Sequence, residues 1–80
     1  MNIDTARLVL QAAIRSAGEL QQLLPMLKER CPPEEYKIYL KAIATVLAEV
    51  SLKVTNRVVA EHPELEAEVE ASIARNGRYA

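Results

Sequence analysis

Two side chains in this 80-residue sequence are of types that attack a carbon centre, relay a proton or hold a transition metal: Cys31 and His62, each the only one of its kind. A nucleophilic thiol needs a base within hydrogen-bond reach, and a tetrahedral metal site needs several such ligands. Chemistry of this sort would therefore have to bring the two together. A helix running from about 33 to 61 would instead hold positions 31 and 62 roughly 40 Å apart at 1.5 Å per residue. Only an antiparallel pairing of two chains would make them neighbours, so a ligand or metal site between the helices of a dimer, using His62, Cys31 or Arg57, is kept as a remote alternative. The simpler reading is structural, with Cys31 closing an apolar seam and His62 capping a helix start. No glycine-rich phosphate loop, paired-carboxylate cleft or Ser-His-Asp arrangement is present. The chain is read as a non-enzyme with no catalytic residue, no metal and no cofactor.

The remaining candidates are recognition residues. Tyr36 and Tyr39 combine an apolar ring with a polar tip, which suits an interface; covering one end of a core with the hydroxyls in water is the preferred account. Arg57 borders the apolar stripe, where its stem can lie on apolar surface with the charged head in water. Glu64, Glu66, Glu68 and Glu70 read first as a solvated face and second as a docking strip for a basic partner.

Three helical segments position these residues. The first, about 4–30, carries Ile3, Ala6, Leu10, Ala13, Ala17, Leu20, Leu24, Leu27 and Cys31 in a three-four alternation, the spacing of a helix packed lengthwise on others. Its alanines allow close approach. Asn2 or Asp4 can cap its start, and Pro25, which cannot donate to the carbonyl of Gln21, predicts a kink or brief break near Leu23. The sequence Cys31-Pro32-Pro33-Glu34-Glu35 ends that helix and opens the next, since Pro33 suits a first turn and the two carboxylates suit the positive end of a helix dipole.

The second segment, about 33–61, is the longest and most apolar. Tyr36, Tyr39, Leu40, Ile43, Val46, Leu47, Val50, Val54 and Val58 form one broad stripe at 100° per residue, leaving Ile38, Leu52 and Val59 on its flank. Glu49 and Lys53 stand four apart in the favourable order. The step His62-Pro63-Glu64 opens a third helix, about 63–76, with a narrow edge of Leu65, Val69 and Ile73. Asn76-Gly77 stops it, and Arg78 to Ala80 are expected to fray.

Composition bounds the partners. Eighty residues make a single domain, 1–80, whose core is marginal at this size, and with neither Phe nor Trp that core must be Leu, Val, Ile and Ala. The net charge of −1 lacks the basic surplus of a nucleic-acid binder. The charge is unevenly placed: from Val58 onward Glu61, Glu64, Glu66, Glu68 and Glu70 face only Arg75 and Arg78. The first residues show no secretory pattern, no apolar run approaches the roughly 20 residues needed to cross a bilayer, and a lone cysteine fits a reducing compartment. A cytoplasmic location is expected, with no nucleic-acid and no membrane partner.

The run Cys31-Pro32-Pro33-Glu34-Glu35-Tyr36, then Tyr39, Lys41-Ala42-Ile43, Glu49 and His62-Pro63-Glu64-Leu65, resembles a pattern in small, functionally uncharacterised bacterial all-helical proteins. It spans roughly half the chain, and the resemblance brings no activity, cofactor or site. The second helix also has a Pro-Glu-x-Tyr-like start similar to that of the helical-hairpin co-chaperones of type III secretion. That likeness implies a hairpin which holds a different subunit in solution.

The expectation is therefore an all-α chain: an antiparallel helical hairpin with a short third helix, dimerising into a four-helix bundle. The third helix should lie over Leu52, Val59 or the partner. The contact surface, to a second copy or another protein, is assigned to Leu10, Ala13, Ala17 and Leu20 of the first helix and to Tyr36, Tyr39, Leu40, Ile43, Leu47, Val50 and Val54 of the second. The expected function is a self-associating helical adaptor or small regulator. Binding a different subunit is the alternative, and a monomeric three-helix bundle is the structural rival.

Overall fold

The computed structural model describes residues 1–79. It is all-helical, with no strand among the described residues, and measures 45 × 26 × 15 Å. Helix α1 spans Ile3–Arg30. Asn2 is extended and caps it, its Oδ1 accepting the Thr5 amide at 2.8 Å; this satisfies one of the donors that every helix start leaves open. Helix α1 stays helical through Pro25, so the break considered near Leu23 is absent. The seam on both sides of the proline holds one face toward the second helix, and the missing hydrogen bond does not outweigh that burial.

Two linking residues, Cys31 and Pro32, turn the chain into α2, Pro33–Val50, with Pro33 in its first turn and Glu34 and Glu35 beside it. So short a link forces the helices antiparallel. Beyond Val50 the backbone stays right-handed helical through a π-helical turn, Ser51–Thr55, and into α3, Asn56–Glu61. The Asn56 amide donates to the carbonyl of Ser51, five residues back. Such a turn adds one residue to the helix and rotates everything after it by about 100° against a regular α lattice.

That rotation corrects the expected flank. Val59 is half-buried and packs on the central cluster, whereas Ile38 and Leu52 remain 68% and 64% exposed. The turn carries Val58 and Val59 together onto the inner face. From Val50, the apolar sequence then behaves as if one residue had been removed: Val54, Thr55, Val58 and Val59 would fall three, four, seven and eight positions on, which is a regular amphipathic spacing.

Helix α4, Glu64–Asn76, folds back over the end where the chain begins. Ala6, Leu10, Val58 and Leu65 form the buried cluster there, with Ile3, Val9, Ile14, Val59, Val69 and Tyr79 packed around it. Of the positions expected beneath it, α4 joins Val59 at the cluster and leaves Leu52 bare, and its inner edge ends on Ser72 rather than Ile73, which is 46% exposed. The tail explains the change. Gly77 takes the left-handed conformation at φ +74 and donates its amide to the Ile73 carbonyl, a conformation that costs other L-residues about 1–2 kcal/mol. The chain then doubles back, so that the Ser72 hydroxyl donates to the Arg78 carbonyl at 3.0 Å and Tyr79 reaches the core. Arg78 and Tyr79 are therefore docked rather than frayed; Ala80 lies outside the described residues.

Candidate interaction surface

The chain has two ends of different construction. At the terminal end three helices meet, and one polar network ties α1 and α4 to the tail. The Arg7 guanidinium donates through Nε to both Glu68 carboxylate oxygens, at 3.0 and 2.9 Å, and through Nη1 to Asp4 at 3.0 Å. The Tyr79 hydroxyl donates to the same Glu68 carboxylate at 2.5 Å. Arg7 and then Tyr79 hold the Glu68 carboxyl below the usual carboxylate range. Burial, followed by the neighbouring carboxylate, pushes the Tyr79 phenol up to about 12. Glu68 thus leaves the solvated face read from the sequence and becomes a fastening between α1, α4 and the tail.

His62 does not cap α4 with its side chain. Its backbone carbonyl accepts the Leu65 amide, while its ring Nε2 lies 3.0 Å from the Met1 carbonyl, a contact that needs the proton on Nε2. The ring thereby pins the start of the chain to the end of α3. Cys31 sits half-buried at the hairpin turn, at the other end of the molecule. Among the described residues no group of three or more His, Cys, Asp or Glu side chains is placed to hold a metal ion. Arg57 lines a cleft of about 200 Å³ beside Val9, Lys53 and Val54.

The rest of the hairpin is an arm only two helices thick. Its inner line is closed at Ile43, which is buried, while Ala13, Ala17, Leu20, Tyr36, Leu47, Val50 and Val54 are half-buried and Tyr39 and Leu40 are exposed. Leu10, placed by its spacing in the same contact surface, is wholly enclosed by the terminal cluster. The structure thus gathers the remaining assigned residues along one arm and takes Leu10 into the chain's own core.

The arm has two sides. Placed at 100° per residue, Tyr39 and Val46 of α2 lie on the side that also carries Ala13, Leu20 and Leu27 of α1; Leu40 and Leu47 share the other side with Ile14. Helix α4 takes the second side, as Arg7 to Glu68 and the groove between Ile14, Arg15, Ile73 and Tyr79 show. Among the described residues, nothing covers the first side along its length. Neither a protein-family model, nor a curated protein, nor a solved structure matches the chain. Any functional reading rests on this geometry alone. No helix among the described residues is long and apolar enough to cross a membrane.

The network Arg7–Glu68–Tyr79 and the π-turn were missed by sequence reasoning. The first pairs residues 61 and 11 positions apart, which no local pattern announces. The second left one trace, the step of five from Val50 to Thr55 and from Val54 to Val59.

Proposed function

We propose that this chain is a non-enzymatic helical adaptor that self-associates through the arm of its hairpin. One observation carries the reading: the arm presents half-buried and exposed apolar side chains along two facing helices, with Tyr39 47% and Val46 46% exposed and no third layer over them. An apolar face of this extent on a small domain marks an interaction site. A second copy is the most economical cover, because a two-fold pair satisfies the same face on both chains and yields a four-helix bundle. A core confined to one end of an 80-residue chain also gains from association.

Light scattering after size exclusion, across a wide concentration range, tests this. A mass of two chains supports the reading. A well-folded monomer at every concentration removes it, and an aggregating monomer that a different subunit rescues would replace it with the subunit-holding alternative.

A further inference from the structure

Resting on that self-association, the geometry points to the face used. We propose that two copies pair antiparallel across the side of the hairpin opposite α4, about a two-fold axis level with position 44 along α2 and with Leu20 along α1. Besides the inner seam, α2 and the π-turn that follows it carry a second row at steps of four and three: Glu35, Tyr39, Ala42, Val46 and Glu49 of α2 and Lys53 of the turn, every one of them exposed. A two-fold contact requires that if one residue meets another, the second meets the first. Centred on position 44, the operation sets Glu35 against Lys53 of the second copy, Tyr39 against Glu49, and Ala42 against Val46. Opposite charges meet at the ends, a phenol faces a carboxylate, and a small residue faces a branched one in the middle. None of Glu35, Glu49 and Lys53 takes part in an ion pair among the described residues of the chain itself; those all lie at the terminal end.

An independent row on α1 agrees. Centred on Leu20, Ala13 falls opposite Leu27 and Ala17 opposite Leu23, small against large throughout, while Leu20 meets its own copy. The two centres also lie close to one level along the arm. Met1 touches His62, and Val9 shares a cleft with Val54; in both pairs the residue numbers add to 63. Allowing for the residue that the π-turn adds, that register sets Leu20 level with Ala42, two residues, or about 3 Å, from the centre on α2.

The other side fits less well. There the row Lys37, Leu40, Ala44, Leu47, Ser51 sets Lys37 against Ser51 and brings no opposite charges together, and α4 with its docked tail already stands on it. Every adjacent helix pair in the resulting bundle is antiparallel.

The test is the dimer dissociation constant of the full chain by sedimentation, with far-UV circular dichroism on each variant to show that it is folded. Glu35→Lys and Lys53→Glu should each weaken association about tenfold, because symmetry counts every reversed pair twice. The double variant should return to within about threefold of the original. Val46→Arg, at the centre, should weaken it about a hundredfold or more, while Lys37→Glu on the other side should leave it unchanged. A dimer that ignores the reversals and Val46→Arg, or whose double variant is no better than the singles, overturns this face and leaves self-association standing. A monomer before any substitution overturns both.

Discussion

The terminal end and the arm are built on the same hairpin, α1 against α2 and its continuation into α3, yet they differ in what closes them. At the terminal end α4 supplies a third layer, so Leu10 and Leu65 are sealed at 0% and 1% exposure, and Arg7, Glu68 and Tyr79 satisfy one another above them. Along the arm the same kind of seam has only one partner, and only Ile43 is buried. A helix pair encloses the line between its axes and nothing more. Folding of the single chain is therefore carried by the terminal end, and the arm's apolar surface stays partly open to solvent.

The largest break in that contrast comes from truncating one leucine at each end. Leu10→Ala removes a fully enclosed side chain and should cost about 2–5 kcal/mol. Leu40→Ala, where much of the side chain already meets solvent, should cost well under half as much in the unassociated chain. Urea unfolding at low protein concentration measures both, and equal losses would show that the arm is as much a core as the terminal cluster.

The tail gives two smaller effects. Gly77→Ala forces a Cβ into the left-handed turn and should destabilise the chain by about 1–2 kcal/mol, with loss of tail docking visible as increased exchange of the nearby amides. Tyr79→Phe keeps the ring and removes the hydroxyl that Glu68 accepts, for about 1 kcal/mol. The same contact predicts a pH response. The folded state holds the Tyr79 phenol protonated to about 12, against 10.0 for the free group; its contribution to stability is intact below pH 10 and fades as pH rises to about 12. Glu68 acts in the opposite direction: its depressed pKa stabilises the fold above the usual carboxylate range and is lost on acidification through the lowered value. Unfolding midpoints across both windows should flatten at the alkaline end in Tyr79→Phe and at the acid end in Glu68→Gln.

The smallest expected effect is the most diagnostic. Removing a residue from the middle of a helix normally turns one half against the other by about 100°. Deleting Ser51 should instead convert the π-turn to regular α-helix and leave Val58 and Val59 where they are, for a stability change near zero. Deleting Ala44, with no widened turn to absorb it, should disrupt the hairpin. If both deletions were equally damaging, the π-turn would not be what sets the phase between α2 and α3.

Much of this architecture was legible because it is local. Asn2 caps α1, Pro32 and Pro33 place the turn, and Gly77 stops α4, each through the conformational limits of a few adjacent residues. The three-four alternation likewise states which side of each helix wants a neighbour. It does not say which neighbour arrives. Leu10 was assigned by spacing to the same contact surface as Leu20, yet α4 and Val58 enclose the one and leave the other half-open.

The sequence by itself determined three helices, their order and the antiparallel hairpin, since hydrogen-bond spacing and proline geometry act within a turn or two of the chain. Only the tertiary structure decided the phase change at Ser51–Thr55, the end over which α4 lies, and the return of Tyr79 to Glu68. Each of these depends on which of several apolar or charged surfaces meet, and that choice is made between residues far apart in the chain, by the burial and pairing they achieve together.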